Sequence, residues 1–67
     1  MNIGKIIRDL RKDKGITQTQ LAEKISTTQD TISLWELGKS YPDIINLIKL
    51  SKFFGVSTDY MLGLKDF

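Results

Sequence analysis

The sequence predicts an all-α domain, a compact bundle of five short helices, and three observations lead there. Apolar residues recur three and four apart, the spacing of one helix face, and no segment reads as a credible strand. Hydroxyl, amide and carboxylate residues stand just ahead of the apolar stripes, where they can cap helix starts. Glycines follow the stripes at positions 15, 38 and 55, where helices end. The 67 residues make one domain, residues 1–67. A chain this short buries only about 60% of its unfolded surface, so its packing must be efficient.

The first helix shows Ile3, Ile6, Ile7 and Leu10 on one face. Asn2 is placed to cap its start and Gly15 to end it. Ile16 then packs, and Thr17 opens the second helix as a capping box. Its hydroxyl accepts from the amide three residues on, and Gln20 reaches back. Leu21, Ala22 and Ile25 form the buried stripe, and Ser26-Thr27-Thr28 closes it, since these residues favour turns and caps. Thr28 caps the third helix, residues 29–37. There Ile32 and Trp35 face inward while Gln29, Asp30, Ser33 and Leu34 face outward. Gly38 ends it, and Lys39-Ser40-Tyr41-Pro42 is a loop. Asp43 caps the fourth helix, residues 44–54, with Ile44, Leu47, Leu50 or Ser51, and Phe54 inward. Ser57 or Thr58 caps a last short helix carrying Tyr60, Met61 and Leu62.

Composition narrows the function. The absence of cysteine removes disulfides and thiolate metal sites. The absence of histidine removes the commonest general base and metal ligand. With no glycine-rich phosphate loop and no convergent acid pair, the chain is not expected to be an enzyme, and no cofactor, metal or small-molecule ligand is expected. Asp9 and Asp13 read as solvated charges rather than a metal pair. Apolar runs fall far short of the roughly 20 residues that span a bilayer. The N-terminus also lacks the apolar core of a signal peptide, so no membrane association and a cytoplasmic location are expected. Net charge is +2, but Lys5, Arg8, Arg11, Lys12 and Lys14 against Asp9 and Asp13 leave the first helix locally basic. That face is either solvated or in contact with phosphates.

Residues 18–37 carry the functional signal. Two helices of about eight residues are joined by a turn too tight for an antiparallel hairpin. Small Ala22 sits where they cross, and Leu21, Ile25, Ile32 and Trp35 lean on one core. That is how a helix-turn-helix is built, and it frees the outer face of its second helix. Here that face is Thr28, Gln29, Asp30, Ser33 and Leu34, the candidate contacts to DNA bases. A glutamine amide can donate to and accept from an adenine edge at once, discriminating by ~1–3 kcal/mol. Leu34 suits a thymine methyl. Gln18, opening the preceding helix, is placed for a phosphate. Trp35 could stack on a base, but its spacing from Ile32 assigns it to the core.

With these elements in order, the chain resembles the Cro and phage-repressor type of helix-turn-helix domain, the XRE family, whose fold is lambda-repressor-like. The matching residues read Leu10-Arg11, Lys14-Gly15, Thr17-Gln18, Leu21-Ala22-Glu23-Lys24, Thr31-Ile32-Ser33, Trp35-Glu36, Gly38-Lys39 and Pro42. They continue through Leu47, Leu50, Gly55-Val56-Ser57 and Asp59-Tyr60-Met61-Leu62-Gly63, so the match covers nearly the whole chain. The resemblance implies that residues 29–37 are the recognition helix of a bacterial or phage transcriptional regulator, in the first instance a repressor. It implies base contacts from Gln29 and its neighbours. It implies phosphate contacts from Gln18 and from the following loop, here Lys39, Ser40 and Tyr41. It also implies a structural salt bridge between Arg11 and Glu36, with the Arg11 guanidinium near a phosphate. The implied partner is a double-stranded DNA operator bound by a homodimer on paired half-sites.

Four departures qualify the resemblance. Ser26 replaces the usual glycine of the turn, at ~1 kcal/mol or more if left-handed, so the turn is either strained or differently shaped. Thr27 stands where an apolar residue is common. Asp30 puts a carboxylate on the DNA-facing surface, where it either accepts from a cytosine amino group or favours the helix N-terminus. Asp43 sits where some members of the family carry a basic phosphate contact, and it reads as a cap. An apolar patch of Ile48, Phe53, Leu64 and Phe67 is the candidate surface for self-association. A protein-interaction module on the same scaffold is the competing reading, motivated by modest charge, Asp30 and that patch.

Overall fold

The computed structural model describes residues 2–66, and among these there are five helices and no strand. They are α1 (Ile3–Asp13), α2 (Gln18–Lys24), α3 (Gln29–Glu36), α4 (Ile44–Phe54) and α5 (Thr58–Met61). No helix among the described residues is long and apolar enough to cross a membrane. α1 and α2 both pack on α3, while α5 bridges α4 back to α1. The core is Ile3, Ile7, Leu21, Ala22, Ile25, Ile32, Trp35, Leu50 and Met61, drawn from every helix and from the turn after α2. Trp35 is therefore a core residue.

Four of the five starts are capped by side chains. Thr17 and Gln20 form the reciprocal capping box, with bonds of 3.1 Å and 2.8 Å. Thr28, Asp43 and Ser57 cap α3, α4 and α5. Asn2 is the exception and a correction: it precedes α1 but makes no side-chain cap bond. Burial of Ile3 and Ile7 holds that first turn instead.

Two further expectations change in α4. Ile44 does not face inward but is 75% exposed, with Ile45 and Ile48 also exposed. Leu47, Leu50 and Phe54 do face the core. Phe53, placed in the exposed apolar patch by the sequence, packs against the core beside Phe54. They straddle the contact line edge to face, ring centroids 5.1 Å apart. Lys14 covers Phe53 at 5.0 Å, a cation–π contact joining the end of α1 to α4. Phe53 therefore leaves the apolar patch; Ile48 and Leu64 remain exposed, and Phe67 lies outside the described residues.

Candidate nucleic-acid interface

α1, α2 and α3 end with the same wrap, in which two amides beyond the helix reach back to carbonyls of its last turn. At the end of α1, Gly15 and Ile16 donate to Lys12 and Arg11 at 2.9 Å and 3.3 Å. At the end of α2, Ser26 and Thr27 donate to Glu23 and Ala22 at 3.4 Å and 2.9 Å. This geometry needs a left-handed residue, normally glycine. Gly15 has φ 69°, and Ser26 adopts φ 59°, the only non-glycine residue with positive φ among those described. The turn thus keeps the left-handed shape and accepts its steric cost. It aims α3 across α2 with Ala22 buried at the crossing.

Ile32 and Trp35 hold α3 from below, at 0% and 3% exposure, which turns Gln29, Asp30 and Leu34 outward. Ser33 is half-buried beside them. Thr28 is exposed, but its hydroxyl serves the first turn, accepting from the Thr31 amide at 3.2 Å and bonding the Thr31 hydroxyl at 2.9 Å. Asp30 is exposed in that first turn, where a carboxylate complements the positive end of the helix.

A chain of directional bonds runs from the interior to Gln29. Glu36 is buried at the end of α3. Its Oε2 accepts from Arg11 Nε at 2.7 Å, and its Oε1 from Arg11 Nη2 at 3.0 Å, a bidentate pair. Arg11 Nη1 donates to the Ile16 carbonyl at 2.9 Å. The bond to Glu36 pushes the guanidinium above its ordinary pKa, partly opposed by burial. Glu36 Oε1 also accepts from Gln18 Nε2 at 3.1 Å, and Gln18 Oε1 in turn accepts from Gln29 Nε2 at 2.6 Å. Gln29 retains its Oε1 and its second Nε2–H, the acceptor and donor that an adenine edge requires. Gln18 retains one N–H, enough for a phosphate oxygen.

Of the residues named from sequence, Arg11, Gln18, Gln29 and Glu36 are thus brought into one network. Lys39, Ser40 and Tyr41 are not part of it. They follow α3 in a loop folded onto its last turn, with the amides of Lys39 and Ser40 donating to the Leu34 carbonyl at 2.9 Å and 3.4 Å. Lys39 and Tyr41 are exposed and Ser40 is half-buried. Lys5 and Asp9 pair on the outer face of α1 at 2.9 Å, and among the described residues there is no acidic cluster suited to a metal. The two glutamine bonds were missed from sequence, although a signal existed: each glutamine is the first residue of one helix of the pair.

A family model described as helix-turn-helix matches residues 7–61. The transcriptional activator BcrR of Enterococcus faecalis is 42% identical over 63 residues, covering 94% of this chain and 31% of that protein. The transcriptional regulator ImmR of Bacillus subtilis is 40% identical over 63 residues, covering 94% of this chain and 50% of its own length. The chain thus spans half or less of these two relatives. Among solved structures, the P22 c2 repressor in complex with a synthetic operator superposes with a TM-score of 0.90 at 34% identity, covering 97% of this chain and 98% of the other.

Proposed function

The chain belongs to the helix-turn-helix family of the Cro and phage-repressor (XRE) type, and from that premise we propose that it binds double-stranded DNA sequence-specifically and regulates transcription. The family is one of DNA-binding regulators, not of enzymes. The observation that most supports the reading is the exposed start of α3, where Gln29 is oriented through Gln18 from a buried ion pair. In the proposed complex α3 enters the major groove by its N-terminus. Gln29 reads an adenine, Asp30 and Ser33 address neighbouring bases, Leu34 meets a thymine methyl, and Thr28 lies at the groove's edge. Gln18, Lys39, Ser40 and Tyr41 contact phosphates. Arg11 acts chiefly by holding Glu36.

The proposed active species is a homodimer on an inverted repeat, with half-site centres ~34 Å apart or a multiple of that. Exposed Ile44, Ile45 and Ile48 on one helix support a self-association surface. The proposed mode is repression, by steric competition with polymerase at a promoter.

Selection of duplexes from a random library, followed by binding across salt concentrations, tests the reading. A two-half-site motif should be enriched, with log K falling against log salt at about −0.9 per phosphate contact. Absence of enrichment, with weak binding even at low salt, would remove DNA reading as the function. A reporter that rises with the bound motif upstream would overturn repression.

A further inference from the structure

We propose that Gly4 is a positioning residue for the DNA-reading face: it sets how closely α1 approaches the end of α3, and through Glu36 it sets the orientation of Gln29. This deepens the reading of α3 as the recognition helix and rests on it. Gly4 lies in the first turn of α1 and is buried. A Cβ there would stand 2.2 Å from the Trp35 carbonyl oxygen and 3.1 Å from that of Glu36. Both are backbone atoms, so no side chain can swing aside. Glycine inside a helix is disfavoured by ~1 kcal/mol relative to alanine, and the close approach accounts for its use here.

The contact meets the network at its root. Glu36 offers its carbonyl to the neighbourhood of Gly4 and its carboxylate to Arg11 and Gln18. Gly4, Ile7 and Arg11 follow one face of α1, so α1 holds the last turn of α3 by backbone contact at one point and by an ion pair two turns on. Restoring an ordinary contact around an added methyl requires the helices to part by roughly 1 Å. Binding constellations tolerate about 0.5 Å. The first turn of α1 is poorly able to absorb the shift by fraying, because Ile3 beside Gly4 is 3% exposed and Ile7 is fully buried.

The test compares Gly4→Ala with Leu50→Ala, a core truncation in α4 outside the network. For each, affinity is measured for the selected duplex and a scrambled one, corrected for the folded fraction, and the Arg11 Nε–H resonance is recorded by NMR. Gly4→Ala is expected to lose tenfold or more on the selected duplex, to lower the selected-to-scrambled ratio, and to move the Arg11 resonance. Leu50→Ala should keep both ratio and resonance. A folded Gly4→Ala protein with wild-type ratio and an unmoved resonance overturns the proposal. If it unfolds in buffer, the measurement is made in trimethylamine N-oxide, which favours the compact state; a chain unfolded even there assigns Gly4 to folding alone and overturns the proposal too. If the wild-type protein prefers no duplex, the DNA reading fails instead, and the Arg11 resonance still decides whether Gly4 sets the network.

Discussion

Helices α3 and α4 draw on the same core but are built on opposite terms. α3 is polar for its length, yet it buries a carboxylate at its end and holds it with three charge-assisted hydrogen bonds. α4 is rich in apolar residues, yet leaves Ile44, Ile45 and Ile48 in solvent. Directional bonds fix side chains in place, and area burial fixes only the helix that carries them. A surface that reads a base edge needs the first kind of order. A helix that closes the bundle needs only the second.

The largest effect should come from breaking the ion pair on one side. Arg11→Ala leaves the Glu36 carboxylate buried with Gln18 as its remaining side-chain partner and should cost about 3–5 kcal/mol by urea denaturation. That is a large part of the roughly 3–10 kcal/mol available to a domain of this size. Replacing both partners, Arg11→Met with Glu36→Leu, should return most of that stability, since well-packed apolar pairs substitute for buried ion pairs. It should not return selective DNA binding, because Gln18 and Gln29 lose their anchor. A double variant that regains both would show the network to be packing alone, and the contrast with α4 would fall.

Within α4 the two faces should separate cleanly. Leu50→Ala removes a fully buried side chain and should cost about 2–5 kcal/mol. Ile44→Ala removes one that is 75% exposed in the single chain and, at concentrations too low for self-association, should stay within about 0.5 kcal/mol. Equal losses by thermal denaturation at higher concentration would place Ile44 in an interface of the native species.

Legibility in the sequence follows the same division. Helix α2 was readable because its apolar stripe is narrow and Thr17 and Gln20 mark its start. In α4, apolar residues stand at 44, 45, 47, 48, 50, 53 and 54 and so surround the axis. Periodicity placed Leu47, Leu50 and Phe54 correctly but could not reject Ile44 or anticipate that Phe53 packs beside Phe54. The pairing of Arg11 with Glu36, 25 residues apart, left no trace in periodicity and was suggested by the family resemblance. The glutamine relay was hinted at only by each glutamine opening one helix of the pair; the bonds themselves depend on the angle between the two helices, and the turn sets that angle.

That turn offers a smaller effect of opposite sign. Ser26 holds a left-handed conformation that glycine adopts freely. Ser26→Gly should therefore stabilise the domain by ~1 kcal/mol, less the extra chain entropy of glycine when unfolded. Selective binding should be unchanged if the turn's shape is kept. A loss of stability would mean that the serine side chain, not the backbone alone, supports the turn.

The smallest effect separates two ion pairs on one helix. Arg11–Glu36 has side chains 12% and 4% exposed, while Lys5–Asp9 on the outer face has 57% and 54%. The hydrogen bond from Lys5 holds the Asp9 carboxyl below its ordinary pKa, opposed by desolvation and helped by the charges of Lys5, Arg8 and Lys12. A carboxyl depressed in the folded state adds stability above its unfolded pKa, and that contribution is lost as pH falls through the folded value. Lys5→Ala should raise the Asp9 pKa toward the ordinary carboxylate range, as followed by carbon-13 NMR titration, with no measurable change in unfolding midpoint at neutral pH. An Asp9 titration unmoved by Lys5→Ala would mean that Arg8 and Lys12 set the carboxyl's environment. The outer face of α1 would then act as a collective basic surface, which is the form a phosphate backbone would meet.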